Sequence, residues 1–154
     1  QRNYTNLFNP EPGTKNSIGP WKRPLSHDSL VLIVKDGKAV AAIGAPGGRR
    51  VIPAVIQVIL NVIDFGMGIQ DAIGAPRIHA EGSDPKVPEG LLVRRVFADS
   101  RIPEETRAAL EAMGHEIVVM QDGQFALPVG VVRDETGRMY GGVTVPVPAM
   151  AIGL

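Results

Sequence analysis

The chain has no cysteine, so neither a disulfide framework nor a thiolate zinc site can form. It has no charge excess either: Lys plus Arg and Asp plus Glu number 16 each. Without a broad basic surface, nucleic acid is not expected as a partner. No apolar run reaches the roughly 18 residues a membrane helix needs, so no membrane partner is expected. Neither a signal peptide nor an initiator Met opens the chain. Gln1-Arg2-Asn3-Tyr4 is the start expected of a fragment or a processing product. The three histidines stand far apart, at 27, 79 and 115, with no metal-binding spacing. No metal and no cofactor are expected. What is present is 44% hydrophobic residues in 154, enough for the core of one domain or one subunit.

Residues 1–29 are polar and rich in Pro, Gly and Asn, and read as an extended arm with turns, a disordered tail being the competing reading. Trp21, the only Trp, argues that the arm docks onto something. Residues 30–154 read as α+β. Segments 30–35 and 39–45, joined by Asp36-Gly37-Lys38, form an expected hairpin. Both strands are apolar at nearly every position, which predicts a sheet covered on both faces. Residues 51–65 carry the strongest helix signal, with Val51, Val55, Val58, Ile59, Val62 and Ile63 at helical spacing and Gly66 as the stop. Ile52 and Ile56 widen that stripe and predict a mostly buried helix. Further helices are expected at 69–74 and 103–113, and strands at 77–80, 91–96, 115–120, 126–133 and 138–145.

Gly44-Ala45-Pro46-Gly47-Gly48 joins a buried strand to the start of the long helix. Glycines there let the backbone turn sharply and approach a ligand. The first N–H groups of a helix lack internal partners and sit at the positive end of its dipole, so the turn is suited to an oxyanion. A plain tight turn is the competing reading. A Walker phosphate loop is excluded, because Arg49 stands where that pattern needs Gly. Arg49 and Arg50 put two cations at the positive helix end, which is unfavourable unless an anion, from the protein or a substrate, lies nearby. Otherwise both point to solvent. Ser26-His27-Asp28 holds the residue types of a catalytic triad, but adjacent side chains cannot face one another as a relay. His115 reads as structural.

Several segments in order resemble the γ-glutamyltranspeptidases, a family of N-terminal-nucleophile hydrolases, over residues 16–140. Lys22-Arg23-Pro24-Leu25-Ser26 resembles the segment whose two consecutive serines hold the substrate carboxylate, which implies that the arm 1–29 lies on the substrate side. Gly44-Ala45-Pro46-Gly47-Gly48 resembles the family's Gly-Ser-Pro-Gly-Gly, whose paired glycines form the oxyanion hole. Residues 57–68 and Ala75-Pro76-Arg77-Ile78-His79 resemble the helix and the Ala-Pro-Arg-x-His that follow. The resemblance implies part of a four-layer αββα sandwich with antiparallel sheets. Residues 30–154 would then be one portion of a single catalytic domain, completed by a missing N-terminal segment or partner chain. It also implies a Thr nucleophile, exposed by self-cleavage, that uses its own α-amine as base. That Thr would lie upstream. Thr5 and Thr14 are internal, so the chain alone is expected to be inactive.

The departures bear on the substrate. Leu7 stands where the family carries an Asp for the free α-amino group of the glutamyl unit. His27 replaces the second serine, Arg49 the Ser after the paired glycines, and Val145-Pro146-Val147 the family's Asp-Pro-Arg. The expected function is therefore amide hydrolysis or acyl transfer. Its substrate bears a carboxylate but no free α-amine, such as a dicarboxylic monoamide, an acylated β-lactam or an oxamate-like amide. Gly47 and Gly48 are the candidate catalytic residues. Ser26, His27, Arg49 and Arg50 are candidates for binding the substrate carboxylate, although Arg50 aligns with a family Arg more readily read as structural. A γ-glutamyltranspeptidase acting on glutathione, and a non-catalytic anion-binding or structural module, are the alternatives. The expected partners are a small-molecule amide and the N-terminal or large-subunit chain of the same precursor. The compartment stays open, with the periplasm or the cell exterior preferred over the cytoplasm.

Overall fold

The computed structural model describes residues 13, 19–23, 26, 28–80, 95–121 and 125–145. In chain order its elements are β1 (Val31–Lys35), β2 (Lys38–Gly44), α1 (Val51–Ile63), α2 (Ile69–Gly74), β3 (Ile78–Ala80), β4 (Arg95–Asp99), α3 (Glu104–Ala112), β5 (Glu116–Met120), β6 (Val129–Arg133) and β7 (Met139–Val143). The hairpin forms as expected. Asp36 and Gly37 are both left-handed, with φ of 52° and 73°, a turn whose twist matches that of the strands it joins. β2 pairs with β6 and β6 with β7, giving an antiparallel sheet in the order β1-β2-β6-β7.

α1 and α2 lie on one face of this sheet. Val51, Ala54, Val55 and Val58 of α1 and Ile69, Ala72 and Ile73 of α2 form the core with Ile43 and Ala126. Val31, Ile33 and Val132 close it from the sheet. Each fully buried Val or Ile there contributes about 1.5–3 kcal/mol. Two side-chain amides fasten the layers by mimicking peptide groups. Gln57 donates to the Ile78 carbonyl at 2.9 Å and accepts from the Ile78 N–H at 3.0 Å. Gln70 does the same with Val143, at 2.9 and 3.0 Å.

Two apolar surfaces stay open. Alternate residues of the sheet turn away from the helices, leaving Leu30, Leu32, Val34 and Val129 exposed. The expectation of a sheet covered on both faces is therefore met on one face only: the second face is apolar, and no described residue covers it. α1 departs from expectation. Its inner stripe is buried, but Ile52, Ile56, Leu60 and Ile63 line an exposed stripe on the other side. The added apolar residues widen the hydrophobic surface without a described layer to pack on. The helix also ends at Ile63 rather than 65, because Phe65 donates back to the Leu60 carbonyl and Gly66 adopts φ 66°.

β3, β4 and β5 form a second sheet in which β3–β4 is antiparallel and β4–β5 parallel. Here α3 carries the chain back to the end where β4 began, which forces β5 to run parallel. The strand expected at 91–96 runs instead from Arg95 to Asp99, and 91–94 lie outside the described residues. The polar Asp99 is a poor strand signal, yet its carboxylate is fully buried. Arg101 neutralises it with a fork, Nε to Oδ1 at 2.9 Å and Nη2 to Oδ2 at 2.7 Å, and its backbone N–H adds a third bond.

Burial pushes the Asp99 carboxyl up. The Arg101 side-chain and backbone hydrogen bonds, with the charges of Arg101 and Arg77, more than reverse this, so its pKa lies below the ordinary Asp value. A depressed carboxylate stabilises the fold fully above the unfolded-state pKa of about 3.9 and loses that contribution as pH falls through the folded value. Asp99→Ala should therefore destabilise the protein by about 2–3 kcal/mol at neutral pH. The difference from the parent should shrink below about pH 4. Urea unfolding at several pH values checks both.

Candidate active site

The site is built where β2 runs into α1. Pro46 and Gly47 leave the sheet, Gly48–Arg50 make one 3-10 turn, and α1 follows without a break. Gly47 has φ 144° and Gly48 φ 62°, a pair of values that side chains rarely adopt. Packing restricts Gly47 further. A Cβ there would lie 2.6 Å from both Cα and Cβ of Ala126, whereas a Cβ on Gly48 would meet nothing within 4 Å. Among the described residues, no backbone carbonyl accepts from the Gly47 or Gly48 N–H. The turn therefore presents N–H groups at the positive end of a 13-residue helix. That is what an oxyanion formed at an attacked carbonyl requires.

The wall behind the turn is the segment before β6. Leu127 donates to the Pro46 carbonyl at 3.0 Å, and Ala126 fills the space beside Gly47. Arg77 is buried and spans from α2 to this wall. It donates to the carbonyls of Ile73 and Ala75 and, at 3.5 Å, of Ala126. Sequence reading noted Arg77 only as part of a resemblance and missed Ala126, whose one signal is its apolar character.

The two arginines after the glycines part company. Arg49 is exposed. Arg50 is half-buried, with its guanidinium carbon 5.6 Å from the centroid of the Phe97 ring in β4. The ring of His79, Phe97's cross-strand partner, lies 6.1 Å from it at 23°. Ser26 is exposed, and its Oγ accepts from the Asp28 N–H at 3.0 Å. His27 lies outside the described residues. Asp28 lines an open groove of about 750 Å³ together with Leu30, Gly44, Ala45 and Pro46. The end of the arm and the approach to the glycine pair thus share one groove. Leu7, which the resemblance sets at the ammonium-binding position, is likewise outside the described residues.

A family model described as gamma-glutamyltranspeptidase matches residues 1–146. The chain belongs to the γ-glutamyltranspeptidase family of N-terminal-nucleophile hydrolases. It is 35% identical to the glutathione hydrolase proenzyme of Escherichia coli K12 over 136 residues, 88% of this chain and 22% of that protein. It is 37% identical to the acylase ACY 1 proenzyme of Pseudomonas sp. V22 over 116 residues, 75% of this chain and 19% of that protein. Among solved structures, a mutant γ-glutamyltranspeptidase of Helicobacter pylori matches at 30% identity and a TM-score of 0.72, covering 91% of this chain and 72% of that one. The cephalosporin acylase of Bacillus halodurans matches at 28% identity and a TM-score of 0.73, covering 90% of this chain and 24% of that one. The chain thus spans about a fifth of the length of these curated relatives. Its fold is the family's α+β sandwich.

Proposed function

We propose that this chain is the C-terminal part of an amidohydrolase or acyltransferase, and that it supplies the oxyanion hole and a substrate wall to a Thr nucleophile on another segment. The observation that carries the reading is the Gly47–Gly48 turn, held open at the head of α1 and backed by Ala126. In the proposed path the Thr hydroxyl attacks the amide carbonyl while its own α-amine takes the proton. The carbonyl oxygen becomes an oxyanion bound by the Gly47 and Gly48 N–H groups. The C–N bond then breaks, the amine leaves with the proton, and water or a second amine takes the acyl group from the Thr. The chain alone lacks the nucleophile and is inactive in this reading.

The acyl group bears a carboxylate and no free α-amine, because the apolar Leu7 cannot neutralise an ammonium. Ser26, His27 and Arg49 hold that carboxylate. Arg50, which the sequence also offers for that carboxylate, lies over the Phe97 ring, and in this reading it serves the turn. Similarity to an acylase supports this substrate class, whereas similarity to a glutathione hydrolase supports a γ-glutamyl substrate. Rates on glutaryl and γ-glutamyl p-nitroanilide separate the two. We expect kcat/KM for the glutaryl compound to be at least about tenfold higher, the weight of one unpaired charged contact of some 1.4 kcal/mol or more. Preference for the γ-glutamyl compound contradicts this assignment.

The macromolecular partner is the remainder of the same precursor. It covers the outer sheet face around Leu30, Leu32 and Val129 and the α1 stripe around Ile52 and Ile56, both apolar and open. Relatives named as proenzymes, several times longer than this chain, support that partner.

A further inference from the structure

We propose that Phe97 is a positioning residue for the oxyanion turn, acting through Arg50. The proposal rests on the oxyanion reading above. Beyond the Ala126 wall on its Gly47 side, the turn's own closure is weak. Two of its residues are glycines, and the bond that closes it, from the Arg50 N–H to the Gly47 carbonyl, is long at 3.4 Å. Arg50 is also the N-cap of α1 and has no side-chain capping bond. Its guanidinium lies over Phe97. Phe97 belongs to the second sheet, where β4 pairs with both β3 and β5 and the His79 ring stacks against it. One side chain thus ties the residue that follows Gly48 and Arg49 to the most enclosed strand of another sheet. A cation within about 6 Å of a ring face is attracted by the ring quadrupole, an effect worth about fivefold in an equilibrium. Loss of the tether loosens the turn. The oxyanion exists only in the transition state, so the loss appears in kcat and not in KM.

The test uses the complete, self-processed enzyme and whichever of the two anilides it turns over. Phe97→Leu should lower kcat about fivefold with KM within about twofold of the parent. Phe97→Tyr keeps the ring face and should restore kcat. Arg50→Met should match Phe97→Leu, Arg50→Lys should fall between it and the parent, and the Arg50→Met/Phe97→Leu double variant should be no worse than either single variant. A parental kcat in Phe97→Leu, or a loss that Phe97→Tyr does not repair, overturns the proposal. If Phe97→Leu fails to accumulate as processed enzyme, Arg50→Met against Arg50→Lys carries the same comparison, and equal kcat in the two overturns it. Gly48→Pro separates this proposal from the reading beneath it. Normal turnover in Gly48→Pro removes the oxyanion assignment and the positioning role together. Loss of turnover in Gly48→Pro beside a parental Phe97→Leu removes only the positioning role.

Discussion

Gly48→Pro should lower kcat of the complete enzyme about 100- to 1000-fold, the loss that follows removal of one oxyanion donor. Proline has no N–H to offer. Its ring also fixes φ near −65°, whereas Gly48 sits at φ 62°, so the turn itself must change. Gly48→Ala is the control that separates these effects. It keeps the N–H, and a Cβ there would meet nothing within 4 Å. Its cost is the left-handed backbone alone, about 1–2 kcal/mol of stability. Turnover in Gly48→Ala should therefore stay within a few-fold of the parent, with only a lowered melting temperature. Steady-state kinetics and thermal unfolding of both variants decide the matter. If the two lose turnover equally, shape and not the N–H is what Gly48 provides.

Gly47→Ala should behave in the opposite way to Gly48→Ala, although the two glycines are adjacent. The new Cβ would come within 2.6 Å of the Ala126 backbone, which cannot rotate aside as a flexible side chain can. A φ of 144° adds strain of about 1–3 kcal/mol. The turn must then move away from the wall that Arg77 and Leu127 help to fix. A shift of that kind, of the order of 1 Å, typically lowers turnover about 100-fold. Ala126→Gly in the same chain removes one of the two close contacts and should recover part of the lost kcat. Full activity in the Gly47→Ala enzyme would mean that this wall does not position the turn.

Much of the fold was legible in the residues. The period of Val51, Val55 and Val58 announced α1, Asp36-Gly37 announced the hairpin, and the all-apolar strands announced a sheet covered on both faces, of which described residues cover one. The glycine pair at the strand-to-helix junction was visible as a candidate oxyanion site for the same local reason. What escaped depends on contacts between distant segments. The residues alone offer both Arg49 and Arg50 for the carboxylate, but the structure leaves Arg49 exposed and half-buries Arg50 over Phe97, which a second sheet supplies. Ala126 carries no signal beyond its apolar character until it packs on Gly47. Asp99 reads as a strand breaker until Arg101 neutralises it. The exposed stripe of α1 was misjudged because periodicity reports which residues are apolar, not whether a neighbour covers them.

The central claim is that this chain completes a self-processed hydrolase whose nucleophile lies on another segment. Intact mass and N-terminal sequencing of the protein isolated from its own host test it directly. The account predicts a small subunit that opens with Thr and contains this chain, held to a second chain of the same precursor. A product that begins at or near Gln1, with no Thr-bearing fragment bound to it, would contradict the account.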